Sequence, residues 1–367
     1  MNELDLLKRL RDDVPDPDPL VLARARQRLL TPPPVRRRAT RPRLLVAGGL
    51  ALTLAGGLLA ADVVRHDSSP LPGTVADAST VLADAATQAM AHPETPIPPG
   101  QYRQVTTLSA SIYEFGPDHK FRATRLDQVD NWLPADPTSQ YLERVVSPIK
   151  VDFATPEAKV AARKLAPHLL QRPKARLYRV TCRGVAIEPN ASRDALNAPC
   201  TPDWHHPTAE FFAKQPRDPD VLLAKLRTEP LFKGPQNRLQ QAREKFTPVD
   251  QKAFSRISGA LESAILPADL RAALYQAARK IPGIQLLGDV VTLDGRPGRA
   301  IGFVDNGYRQ DIIISPTTGQ SIGTRHVVAD APLLNGESNV SGHLRPGDIY
   351  NATSTTTRIT PTQPAMK

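Results

Sequence analysis

The chain opens on two short stretches whose apolar residues recur at helical spacing. In the first, Leu4, Leu7 and Leu10 share a side with Leu6, opposite Lys8, Arg9, Arg11, Asp12 and Asp13. In the second, Leu20–Leu30, an apolar stripe of Val21, Ala25, Leu29 and Leu22 is ringed by Arg24, Arg26 and Arg28. Pro15, Pro17 and Pro19 separate the two. Helices this short bury no core between them, and below about 12–15 residues they are marginal in water. The pattern predicts helices that dock into a partner's groove, or a leader lying on the inner membrane surface. Leu4, Leu7, Leu10, Val21 and Leu29 are the candidate partner-binding residues.

From Leu44 to Ala61 the pattern changes to LLVAGGLALTLAGGLLAA, with no charge and with Thr53 as the only polar side chain. As a helix this run is ~27 Å long, close to the ~30 Å of a hydrocarbon core. Val63 and Val64 extend it across Asp62, so a transmembrane helix is expected over 44–64. A secretory signal cleaved after Leu59-Ala60-Ala61 is the alternative, but 43 residues precede the run, which favours a retained anchor. Gly49, Thr53 and Gly57 lie four apart, a small-residue stripe that would allow a homodimer through this helix.

Beyond a polar stalk at 65–74, residues 75–360 read as one extracytoplasmic domain, followed by a tail at 361–367. Asp77–His92 is a predicted helix stopped by Pro93. Gln101–Phe115 alternates as a strand, and Lys120–Val129, Tyr141–Val146 and Arg176–Cys182 read likewise. Predicted helices cover Pro156–His168, Asp220–Arg227, Asp250–Leu266 and Pro267–Ile281. The last third is a strand ladder: Ile284–Leu293, Gly298–Asp305, Tyr308–Ser315, Gln320–Ala329 and Ile349–Ile359. Asp294-Gly295 and Asn306-Gly307 are strong hairpin signals, expected to place both turn positions at positive φ. The predicted fold class is α+β, an antiparallel meander with inserted helices, joined to short cytoplasmic helices by one transmembrane helix.

Charge fixes the orientation. The net charge is +10, and residues 1–43 hold eleven Lys/Arg against six acids. The excess crowds at Arg36, Arg37, Arg38, Arg41 and Arg43, immediately before the apolar run. This is the positive-inside pattern: a cytoplasmic N-terminus, a lipid bilayer as partner, and the C-terminal domain outside the plasma membrane. It accounts for the basicity without direct nucleic-acid binding. Thirty-seven prolines exclude a long coiled coil, and no fixed-period repeat is visible.

The chemistry is sparse. Cys182 and Cys200 fall on the external side, where disulfides persist, and a structural bridge between them is expected to stabilise by about 3 kcal/mol. His205 and His206 are adjacent on the chain and so aim apart, which makes a poor metal site. No H-E-x-x-H, G-x-S-x-G or P-loop occurs. Asp127, Asp130, Glu143 and Asp305 are scattered and show no partners in the sequence. Asn190-Ala191-Ser192 and Asn351-Ala352-Thr353 match the glycosylation pattern, a motif short enough to arise by chance. No catalytic constellation emerges, so no enzyme activity, metal or cofactor is expected.

Several blocks together resemble an uncharacterised family of actinobacterial single-pass membrane proteins. They are MNELDLLKRLRDDVPDPDP, the basic run before a single span, ALYQAARKIPGI, and TLDGRPGRAIGF with ISPTTGQSIGTR. Members are typically encoded beside extracytoplasmic-function sigma factors. The resemblance implies an anti-sigma-like membrane regulator whose cytoplasmic segment contacts a sigma factor. The segment has no Cys or His, so it departs from zinc-type anti-sigma domains. More distantly, the ladder with its helices looks like the half-barrels of lipoprotein carriers and of the sensor guarding a sigma-E anti-sigma factor. That likeness implies an apolar concavity for a lipid-like ligand. Three functional readings follow: a sensor and regulator, an anchored envelope lipid- or lipoprotein-binding module without signalling, and an external hydrolase. The first is favoured.

Overall fold

Turns rich in glycine punctuate the last third of the chain, and each joins neighbouring strands of a single sheet. The computed structural model describes residues 75–136, 140–180, 186–187, 202–204, 207–230, 238–305, 307–329 and 344–365. Of the two units into which the chain divides, Met1–Leu54 and Ala55–Lys367, all of these belong to the second. The expected cytoplasmic helices, the span at 44–64, the arginines at 36–43, Cys182, Cys200 and the paired histidines all lie outside the described residues. Among the described residues no helix is long and apolar enough to cross a membrane.

The elements run α1 (Val75–Ala91), β1 (Tyr102–Phe115), β2 (Phe121–Pro134), β3 (Tyr141–Phe153), α2 (Pro156–Leu165), β4 (Lys174–Val180) and β5 (Ala186–Ile187). Then come α3 (Ala209–Ala213), α4 (Pro219–Thr228), α5 (Arg238–Phe246), α6 (Val249–Leu261) and α7 (Ala268–Ala278). The meander β6 (Gln285–Val291), β7 (Pro297–Asp305), β8 (Tyr308–Ile314) and β9 (Ser321–Val328) follows, and β10 (Ile349–Thr360) ends the series. The ten strands form one antiparallel sheet in the order β5-β4-β3-β2-β1-β10-β9-β8-β7-β6. The α+β class therefore holds.

Local chemistry explains where elements stop. The helix read over Asp250–Leu266 ends at Leu261, with Glu262 as its C-cap. Residues 262–266 become a short connection instead. The helix read over Pro156–His168 ends at Leu165 and restarts as a single 3-10 turn at Pro167. Strands β2 and β3 outrun the expectation, and β3 passes through Pro148 where its register with β2 shifts. Helices α3 and α5 have no counterpart in the sequence reading.

The β6–β7 turn corrects another expectation. Only Gly295 takes positive φ, and Thr292 pairs with Arg296 across the three-residue loop Leu293-Asp294-Gly295. The expected two-residue type I′ turn gives way to the three-residue loop with Gly at its left-handed position.

One face of the sheet carries the helical layer. Ile301, Ile312 and Ile314 pack under Leu82 of α1, Leu222 and Leu226 of α4, Phe254 of α6, and Leu270, Leu274 and Tyr275 of α7. Phe254 stacks on Phe303 of β7 with ring centroids 5.4 Å apart. On the same face, α2 covers the far end of β1–β3 through Ala158, Ala162, Phe115 and Ala123. On the opposite face the β6–β7 tip folds back, bringing Leu293 onto Ala110, Val327, Ile349 and Ala352. Such contact across β7, β8 and β9 requires the sheet to curl over that face. The face is filled there by side chains, including Leu287, Val290, Ala300, Ile313 and Ile322.

Candidate functional site

Acids that look isolated in the sequence are brought together by the ladder. Asp130, 1% exposed, accepts from Thr106 (2.6 Å), Gln128 (2.9 Å) and Arg144 (2.7 and 3.0 Å), with Gln104 at 3.3 Å. Arg144 also lies over the Trp132 ring, 5.4 Å from its centroid. Burial pushes the Asp130 carboxyl up, but the hydrogen bonds from Thr106, Arg144 and Gln128, with the Arg144 charge, outweigh it and hold the pKa below the ordinary value. Asp127 accepts from Arg125 (2.7 Å) and Ser147 (2.6 Å). Asp311, fully buried, is clamped by Arg309 at 2.7 Å and Arg325 at 2.9 Å. The expectation of unpartnered acids fails for Asp127 and Asp130, because side chains on adjacent strands of one face meet at every second residue. With their charges met, these centres act as structural polar cores.

A different arrangement occurs where β9 leaves β10. Their ladder runs from Ile349 opposite Val327 to Ser354 opposite Gly323, and stops there, while β10 continues to Thr360 beside β1. Two glycines make close contacts beside the divergence. Gly323 lies so close to β10 that a Cβ there would sit 2.3 Å from the Thr353 carbonyl oxygen. Gly319, at φ +64°, is seated against α1, where a Cβ would meet the Ala85 carbonyl at 2.4 Å. The Tyr275 hydroxyl donates to the Gly319 carbonyl at 2.8 Å, which pins the β8–β9 turn to the helical layer. The start of β9 is thus drawn toward the helices while β10 stays with β1. A fork opens between them.

The fork contains a cavity of ≈ 220 Å³ lined by Glu94, Leu261, Glu262, Ser263, Ala264, Arg271, Arg296, Gln320, Ser321 and Thr355–Thr357. Arg296 enters from the β6–β7 tip, with its Nε on Asp294 at 2.7 Å and a terminal nitrogen on the Thr355 carbonyl at 2.7 Å. Arg271 of α7, 3% exposed, donates to Glu94 at 2.5 Å and to the His92 carbonyl at 3.1 Å. Gln320 donates to the same Glu94 oxygen at 3.1 Å. Arg103 of β1 ties the 262–266 connection down through the Ala264 carbonyl and also holds the Thr95 carbonyl. Its burial lowers its pKa, with the charge of Glu94 opposing. Glu262 leaves part of its surface in solvent while its carboxyl bonds Thr324; burial raises its pKa, and that bond opposes the rise. Two residues that line the cavity each hold a buried polar atom, Arg271 Nε and Ser321 Oγ, with no hydrogen-bond partner among the described residues.

Other recesses are less constructed. A space of ≈ 480 Å³ beside the C-terminal tail is lined by Gln140, Tyr141, Leu142, Arg179, Gln363, Pro364 and Ala365, with the Tyr141 phenol pushed up to about 12, chiefly by burial. None of its lining side chains holds a buried polar atom lacking a partner. Among the described residues no group of His, Cys, Asp and Glu could hold a metal ion. Asn351 of the second glycosylation motif sits inside β10 and donates to Ser111 at 2.9 Å, a paired strand position rather than a surface loop. The first motif, at Asn190, lies outside the described residues.

The structure tests none of the residues named for partner binding, topology or the disulfide, since all lie outside the described part. The fork residues carried no chemical signal in the sequence. Three of the quoted blocks nevertheless meet there: TLDGRPGRAIGF supplies Arg296, ISPTTGQSIGTR supplies Gly319 to Thr324, and ALYQAARKIPGI supplies Tyr275. Comparison with protein-family models, with characterised proteins and with solved structures gives no match for this chain.

Proposed function

We propose that this protein is a single-pass membrane regulator in which residues 75–365 are an extracytoplasmic ligand-binding domain. In this reading residues 44–64 cross the bilayer, and the cytoplasmic residues 1–43 act on a sigma factor through Leu4, Leu7, Leu10, Val21 and Leu29. The observation that carries the binding half is the fork: a polar cavity beside two close glycine contacts, lined by residues whose buried Arg271 Nε and Ser321 Oγ lack partners. Buried polar groups are normally satisfied, so such atoms beside a cavity suit a domain that receives a ligand. The regulatory half rests on the apolar stripe and the basic run of the first 43 residues. An anchored lipid carrier calls for an apolar recess, whereas the cavities above are lined mainly by polar groups.

The test is co-purification of the full-length chain from membranes of the source cells, against a variant carrying Leu4→Asp, Leu7→Asp and Leu10→Asp. A sigma factor retained by the native chain and lost from the variant is the expected result. Equal recovery from both, or recovery from neither, overturns the regulatory half.

A further inference from the structure

We infer that the fork between β9 and β10 is a strand-addition site for an extended peptide that ends in, or carries, a carboxylate. This rests on the reading of residues 75–365 as a binding domain and names the ligand class of that site.

The backbone supplies the first argument. The Thr355 carbonyl points away from β1, because it accepts from Arg296 in the space where β9 would continue. In an antiparallel strand the N–H and C=O of one residue point the same way, and the direction alternates along the chain. Thr357 and Ile359 therefore present their N–H and C=O groups to the same side as Thr355. Thr356 and Arg358 direct theirs to β1, opposite Thr106 and Gln104. Among the described residues no strand pairs with β10 on its β9 side beyond Ser354. The edge from Thr355 to Ile359 is ~13 Å long, room for an extended segment of about four or five residues. Beyond the Thr355 carbonyl held by Arg296, the outward ladder groups of Thr357 and Ile359 form the kind of open edge that strand addition uses.

The side chains supply the second argument, and they are independent of the backbone. Arg296 is occupied by Asp294 and the Thr355 carbonyl, and Glu94 by Arg271 and Gln320. What the residues around the cavity leave unused is donors: Arg271 Nε–H and the Ser321 hydroxyl, both buried just behind its surface. A ligand rich in acceptors is favoured, and a carboxylate on a guanidinium is the strongest such pairing. Peptide carbonyls meet the Thr357 N–H, and the carboxylate meets Arg271.

The probe is fluorescein-labelled Val-Thr-Val-Thr-Val with a free C-terminal carboxylate, measured by anisotropy on the full-length chain in nanodiscs. Thr357→Pro removes one outward N–H and leaves the β1 ladder intact, as proline is tolerated at such an edge position. Thr357→Val keeps that N–H and serves as its control. Thr357→Pro is expected to weaken binding about tenfold and Thr357→Val to leave it unchanged. The C-terminal amide of the probe should bind about tenfold more weakly than the acid to the native chain, and equally weakly to Arg271→Gln. Equal binding by the proline and valine variants, or by acid and amide, overturns the inference. A second probe, dansyl-undecanoic acid, separates the two levels. If it binds and the peptide does not, the peptide inference falls and the binding-domain reading survives; if neither binds, both fall.

Discussion

The two halves of the sheet are stabilised by different means, although one ladder runs through both. Strands β6–β9 lie under α1, α4, α6 and α7, and Phe254, Leu270, Leu274 and Tyr275 have 1% exposure or less. Strands β1–β3 instead bury Asp130 and Gln104 among Thr106, Gln128, Arg144 and Arg358. Apolar burial scales with area and tolerates small shifts in geometry. A charged network depends on each partner and on each proton. The difference is one of weight: β6–β9 also bury the Asp311 clamp and β1–β3 also pack on α2, but the large apolar core lies on the first and the broadest charged network on the second, with the fork beside the seam where β10 joins them.

The largest expected effect tests the apolar half. Phe254→Ala removes the ring stacked on Phe303 and should cost about 3–5 kcal/mol in urea unfolding. If amide exchange in β1–β3 rises as much as in β6–β9, the halves are one cooperative unit and the contrast is only descriptive. Asp130→Ala should cost about 2 kcal/mol, since Arg144 keeps partial access to water while Thr106 and Gln104 lose their acceptor. Its exchange signature should concentrate in β1–β3; an even spread would break the comparison from the other side. Tyr275→Phe deletes the bond to the Gly319 carbonyl and should cost about 1 kcal/mol, with faster exchange at Ser321–Gly323.

The smallest effect is the dependence of melting temperature on pH. Asp130 is held below its unfolded pKa, so its contribution is complete above the ordinary carboxylate range and is lost as pH falls through the folded value. His326 is lowered chiefly by burial, with Asp311 opposing, and its neutral form is favoured in the fold. Stability from His326 is therefore present above its unfolded pKa and declines as pH falls below it. Glu262 runs the other way: its raised pKa makes stability fall as pH climbs from the unfolded to the folded value. Glu262→Gln should flatten that decline and leave the acid limb unchanged. An unaltered profile would show that the Glu262 carboxyl is solvated.

Elements with local causes were legible in the sequence. The helix before Pro93, the Pro267 break and the glycine-bearing turns each follow from residues within a few positions. The pairing of β1 with β10 was not, since Thr107 and Thr355 stand 248 residues apart and alternation names no partner. The fork was hidden for the same reason. Its wall takes Glu94, Arg271, Arg296, Gln320 and Thr355 from five segments, and none of them forms a motif alone. Asp130 looked isolated because its partners Thr106 and Arg144 are cross-strand neighbours.

The central position of β10 has a consequence for how the chain is made. The last described strand sits between β1 and β9, so the residues of both half-sheets are made before the segment that joins them. The β1–β10 pairing is the one strand contact made between distant parts of the chain, and its loop closure costs entropy that the neighbouring hairpins do not. During synthesis the β1 and β9 edges stay open until residues 349–360 emerge, and truncation before Ile349 leaves both permanently unpaired. Until then one edge of nascent β1 lacks the partner that it has in the finished sheet.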